Sequence, residues 1–129
     1  MKKTLPITLA IAAAAPAHLA PAQEPVDPRI AAYDKGPATI DVSKYPPDMQ
    51  TRYKTFVAKC SKCHTLARAV NCDFALDEEW ERYVKRMMRK PGSEISSTQG
   101  KEIFEFVAYD SKTRKKALYE RKLKEAPKP

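Results

Sequence analysis

The sequence predicts an all-α domain, small and built on one core. Three stretches carry that prediction. Met49, Tyr53, Phe56, Val57 and Cys60 recur at helical spacing and define one face of a helix. Trp80, Val84 and Met87 repeat the pattern one turn apart, with Tyr83 and Met88 flanking the stripe. Ile103, Phe104, Phe106 and Val107 supply the apolar content of a last helix, which is expected to pack against the Tyr53/Phe56 face.

The first 22 residues have a different character. Met1-Lys2-Lys3 is a positive start, Leu5 to Ala15 is an apolar run broken only by Pro6 and Thr8, and Ala20-Pro21-Ala22 is a small-x-small cleavage site. Residues 1–22 therefore read as a signal peptide. Its apolar run is too short for a membrane span, and no later stretch approaches that length. The mature protein is expected in a bacterial periplasm, with no transmembrane segment. Cleavage leaves 107 of the 129 residues and lowers the formal net charge from +8 to +6. It also removes His18, so His64 is the only histidine that remains. A chain of that length can form one domain, and a buried cofactor would supply apolar interior that it lacks.

Residues 23–44 hold Pro25, Pro28, Pro37 and Gly36 and little apolar periodicity. They predict an extended strap rather than a helix, pinned to the domain by Ile40 and Val42. Residues 45–109 form the domain. Tyr45-Pro46-Pro47-Asp48 opens its first helix, with proline in the first turn and an early acid. Thr65 to Leu76 reads as loop with at most a short turn. The next helix has Asp77, Glu78 and Glu79 in its first turn and Arg86, Arg89 and Lys90 at its end, before Pro91-Gly92. That distribution suits the helix dipole at both ends. Ser96, with Gln99 three residues later, makes a capping box for the last helix. Residues 110–129 are a basic tail or helix extension, carrying eight Lys or Arg against three acids.

The first helix runs into Cys60-Ser61-Lys62-Cys63-His64, the covalent attachment pattern of c-type haem. The spacing has a chemical reason. Each thiol adds to one vinyl group of a flat ring, so both sulfurs must reach neighbouring edges. His64 then stands under the iron as proximal ligand. A redox dithiol would want a βαβ setting, which is absent from the pattern. A zinc site would need four ligands, and beyond the leader only Cys60, Cys63, His64 and Cys72 are available, two of them adjacent. One haem c, with its iron, is the expected cofactor.

No second histidine remains for the far side of the iron. Methionine is the common alternative in electron-transfer proteins, where it raises the potential. Met49 lies on the helix leading into the motif, so Met87 ranks first as sixth ligand and Met88 second, by helical phase. Arg68 is placed to meet a haem propionate, its plain alternative being a solvated arginine. Trp80 is the other cofactor-contacting candidate, although a Trp-Val-Met stripe is more often core. Cys72 is left over once two cysteines hold haem. Its plain reading is a small semi-buried residue, and its sharper ones are an intermolecular disulfide or an iron ligand.

The chain resembles the small monohaem class I cytochromes c of bacteria. The likeness rests on the Cys-Ser-Lys-Cys-His-Thr-Leu-Ala-Arg run from Cys60 to Arg68 and the Trp-Glu-Arg-Tyr-Val-Lys-Arg-Met run from Trp80 to Met87. It implies a cytochrome c-like helical domain around one covalent haem, with His64 proximal, methionine distal, and one-electron transfer. It departs from many members in two ways. No proline stands between His64 and Lys90, and the candidate methionines lie in a helical pattern rather than a loop. An electron carrier, and not an enzyme, is the leading expectation, because no second histidine supplies acid–base catalysis. The alternative is a haem enzyme or sensor with a displaceable or Cys72 sixth ligand. Redox partner proteins with acidic surfaces are the expected partners, and nucleic acid is not. They would dock on the Arg82–Lys90 cluster beside the ligand in preference to the tail. A monomer is expected.

Overall fold

Helices make up all the regular structure of residues 25–127, the part of the chain that the computed structural model describes. In order they are α1 (Pro28–Asp34), α2 (Pro47–Cys60), α3 (Ala67–Asn71), α4 (Asp77–Met88), α5 (Ser97–Thr113) and α6 (Lys116–Glu125). No strand occurs among the described residues, so the all-α class holds. The signal-peptide expectation for residues 1–22 falls outside them. No described helix is long and apolar enough to cross a membrane.

The core forms where α2 crosses α5. Pro47 stands in the first turn of α2 with Asp48 beside it, where an absent N–H and a negative charge both suit a helix start. From that start Tyr53 and Phe56 meet Phe106 of α5 with ring centroids 5.2 and 5.3 Å apart. Phe56 and Phe106 are fully enclosed. Each such ring contributes roughly 1.5–3 kcal/mol by leaving water. Ser96 caps α5 through Gln99, whose side chain answers back to the Ser96 N–H. α4 lies on the other side of α5. There Trp80 is buried and its indole N–H donates to Ser111 Oγ at 2.7 Å. Gly100 of α5 makes room for α4, since a Cβ there would stand 2.5 Å from the sulfur of Met88.

A buried acid joins the layers. Asp110 is enclosed, accepts from the Tyr45 hydroxyl at 2.8 Å, and is gripped by Arg114 at 2.6 and 2.9 Å. Arg114 also donates to the Val70 carbonyl of α3 at 3.1 Å. Burial and the facing carboxylate both push the Tyr45 hydroxyl well above its usual range. It therefore stays a donor at every ordinary pH.

Three sequence expectations change here. The strap of residues 23–44 is not extended throughout, because Pro28–Asp34 is helical. Asp27 caps it by accepting from Arg29 N at 2.8 Å, with Pro28 at its first position. The loop from Thr65 to Leu76 contains the short helix α3. The tail forms a separate helix after a break at Lys115 and folds back on α4. Lys122 pairs with Glu79 at 2.6 Å and Lys112 with Asp77 at 2.8 Å. Ile40 is buried and its N–H is held by the Tyr53 hydroxyl at 3.2 Å, so the strap's later part is pinned as expected.

Glu79 gives the tail's docking a pH signature. Burial raises its carboxyl, but N–H groups of Ala75 and Leu76 and the Lys122 ammonium outweigh that and hold it below its ordinary value of 4.5. A depressed folded value stabilises the protein above the unfolded value and is lost as pH falls through the folded one. Glu79→Gln should cost about 1–2 kcal/mol in urea unfolding at neutral pH. The gap between variant and parent should close below about pH 4. A gap that persists in acid would mean the loss is steric.

Candidate functional site

The attachment pattern occupies the exit of α2. Cys60 is the last helical residue, and Ser61 caps the helix through its N–H to the Val57 carbonyl. The chain then turns sharply, which brings Cys63 and His64 under the end of the helix. Thr65 Oγ1 accepts from Ala67 N at 3.2 Å, just ahead of α3. The Nδ1 atom of His64 lies 3.0 Å from the Thr65 carbonyl. With Nδ1 as the donor of that bond, the lone pair falls on Nε2, the form a metal-ligating imidazole requires.

These residues open on a cavity of about 470 Å³. Cys60, Cys63 and His64 line one side, and Tyr83, Arg86 and Met87 of α4 line another. Ile30 and Tyr33 come from α1, Cys72 and Phe74 from the segment after α3, and Pro91, Ser93 and Ile95 from the connector. Such a volume is in the range of small-molecule and cofactor sites, roughly 300–1,000 Å³. Its charge is one-sided. Lys59, Arg68, Arg86 and Lys90 line it, and among the described residues no acidic side chain does.

The connector is fastened to the motif. Lys59 donates to the Glu94 carbonyl at 2.9 Å, and Lys62, inside the motif, meets the Glu94 carboxylate at 2.5 Å. Glu94 has φ of 48°, in the left-handed region that side chains avoid at about 1–2 kcal/mol. Two lysines thus hold a strained corner against the Cys-x-x-Cys turn.

The sequence candidates separate cleanly. Cys60, Cys63, His64 and Met87 share the cavity, as does Arg68. Met88 does not line it; it packs toward Gly100 and the core. Trp80 does not line it either. Its ring stands behind the wall, edge-on to Phe74 and Tyr83 at 5.7 and 5.8 Å. Arg68 has a protein partner, because Asp34 of α1 takes its guanidinium at 3.0 and 2.6 Å. In the sequence Tyr83 shows only as a flank of the apolar stripe. Its spacing of four from Met87 could have placed it in the cavity. Arg86, Lys90 and the α1 residues carry no such signal.

The thiols differ in environment. Cys63 is exposed, Cys60 half-buried and Cys72 buried. Burial pushes the Cys60 thiol up to about 12, so at neutral pH it is an S–H group. That is the wrong form for a metal thiolate or a redox nucleophile, whereas a thioether removes the proton altogether. Burial also raises Cys72, against the pull of Lys115, whose ammonium lies 4.0 Å from its sulfur and donates to its carbonyl at 2.8 Å. No group of three His, Cys, Asp or Glu side chains suited to a metal ion occurs among the described residues. In protein prepared without any attached group, Cys63 should react first with iodoacetamide at pH 8. Cys60 and Cys72 should lag at least about tenfold, as mass spectrometry of the alkylated peptides would report. Equal rates would contradict the burial described.

No protein-family model, curated protein or solved structure matches the chain.

Proposed function

We propose that the protein is an exported one-electron carrier holding a single haem c, attached through Cys60 and Cys63, with His64 and Met87 as axial ligands. One observation carries the reading: the attachment pattern and Met87, which come from different helices, line the same cavity. The donor set fits the group. Two thiols, one imidazole and one thioether converge on an apolar space whose charged lining is wholly basic, which suits a flat apolar dianion. When bound, haem supplies a metal that accepts and returns one electron.

The chain's own residues do the rest. Cys60, protonated and half-buried, would give up its S–H on forming a thioether, as would Cys63. The Thr65 carbonyl would orient His64, a task that a proline carbonyl performs in many class I cytochromes c. Met87 would offer a neutral sulfur, which favours the reduced state. Arg68 is engaged by Asp34, and Lys59 by the Glu94 carbonyl. Arg86 and Lys90 make no ion pair among the described residues and would meet the two propionates. Phe74 and Tyr83 would exclude water beside the ligand. The expected periplasmic location follows from the pattern of residues 1–22. Partners with acidic surfaces fit the exposed Arg82 and Arg89, which flank Arg86 in the chain and stay free of the propionates. Much of the tail's charge is engaged with the body, which supports the rim over the tail as the docking face.

A second reading has its own observation. Cys72 lines the same cavity, so a thiolate sixth ligand and a haem enzyme or sensor form the alternative. Two experiments decide. Protein from a host that attaches c-type haem should carry one haem per mature chain, resistant to acid-acetone. Extractable haem, or stoichiometric zinc, would end the proposal. Met87→Leu should abolish the near-infrared sulfur-to-iron band of the ferric form and lower the potential, while Met88→Leu leaves both in place. A spectrum that responds to Cys72→Ser and not to Met87→Leu would move the sixth position to Cys72.

A further inference from the structure

The cavity has one wall of a different kind. α1 has seven residues and none of them is buried. Its packing partner among the helices is α3. It nevertheless places Ile30 and Tyr33, three apart and so on one face, over the cavity. Tyr33 lies beside Cys72 and Asp73, close enough for both to push its hydroxyl up after burial does. The wall that α1 makes therefore stands over the thiol of Cys72.

What holds α1 there is polar. Asp34 grips Arg68 in a two-pronged ion pair at 3.0 and 2.6 Å, both side chains about three-quarters buried. Asn71 donates to the carbonyls of Tyr33 and Pro37, each at 3.0 Å. Gly36 lies against Asn71 so closely that a Cβ there would come within 2.5 Å of its amide carbon. Both holding side chains belong to α3, which begins at Ala67, three residues after His64. A segment with no buried residue, held by a few polar ties, opens at a free energy below that of global unfolding.

The geometry points to α1 as a hinged cover of the cavity, latched by Asp34 and Arg68, that controls the access of small solutes to Cys72 and to the interior behind it. This gives Arg68 a different task from the propionate contact expected from sequence: it holds the cover. The inference rests on the reading in which Met87 and not Cys72 is the sixth ligand, because only then is Cys72 a free thiol with haem at Cys60 and Cys63. A spectrum that responds to Cys72→Ser would overturn that reading, whereas the labelling rates of Cys72 test the cover.

Cys72 is also the reporter. The purified full-length protein, as loaded by its host, is treated with N-ethylmaleimide, and the labelling of Cys72 is followed by mass spectrometry. Asp34→Asn and Arg68→Gln should each raise the rate about five- to tenfold, the loss expected for one charge-assisted latch. The exchanged pair Asp34→Arg with Arg68→Asp should restore the slow rate. Asp48→Asn, which removes an exposed pair with Arg52 on α2, should leave it unchanged. Hydrogen exchange separates a cover from a general loss of structure. In Asp34→Asn the amides of α1 should lose protection while those of α2 and α5 keep theirs. Parental labelling rates in both single variants would overturn the proposal. So would faster labelling accompanied by equal loss of protection in α2 and α5.

Discussion

The crossing of α2 and α5 is the constraint on which the rest depends. One face of α2 carries Tyr53 and Phe56 onto Phe106, and the last turn of the same helix delivers Cys60 to the cavity. Core and site are therefore two ends of one rigid rod. Because aromatic packing fixes the rotation of α2 about its axis, it also fixes the direction in which the Cys-x-x-Cys turn leaves it. Asp110 extends the constraint to the remaining layers, since Tyr45 before α2, Arg114 after α5 and the Val70 carbonyl of α3 all meet around it. A charge buried that deeply is tolerable only with such partners, and removing one would leave it uncompensated.

Helical periodicity made most of this legible. α2, α4 and α5 were readable because each sets a stripe of large apolar residues against charged faces, with a proline, an acid cluster or a capping box at its start. Part of the cavity's lining was readable too, because Cys60, Cys63 and His64 are contiguous and Met87 lies on the stripe of α4. What escaped has a common physical cause. α1 and α3 are five to seven residues long, below the length at which an apolar period shows, and they are held by side-chain hydrogen bonds between distant positions. Such ties leave no local pattern. Arg68 illustrates the point: four residues past His64 it looks free, and only the fold brings Asp34, 34 positions earlier, to its guanidinium.

The tail shows the same limit from the other side. Read as composition, eight basic residues suggest a solvated arm. In the fold Lys112, Lys115 and Lys122 go to Asp77, to the carbonyl of Cys72 and to Glu79. Lys115 is the telling case. Burial lowers its tendency to hold a proton, yet its ammonium sits between two carbonyls and 5.4 Å over the Trp80 ring. No carboxylate pairs with it among the described residues. It serves as a cationic filler behind the wall that Cys72 and Phe74 present to the cavity.

α4 then acts as a lever between tail and site. At its N-terminal end Trp80 is fixed to Ser111, Asp77 to Lys112 and Glu79 to Lys122. At its C-terminal end Met88 is seated against Gly100, and that contact orients the neighbouring residues of the last turn. With adjacent residues about 100° apart around a helix, seating Met88 in the core turns Met87 out of it and toward the cavity. A methionine on a helix can thus be held as firmly as one in a loop, provided both ends of the helix are moored. Here two of the moorings at one end come from the basic segment after Asp110. The position of the cavity's thioether is consequently set by residues from Gly100 to Lys122, well along the chain, and by packing rather than by any motif around Met87 itself.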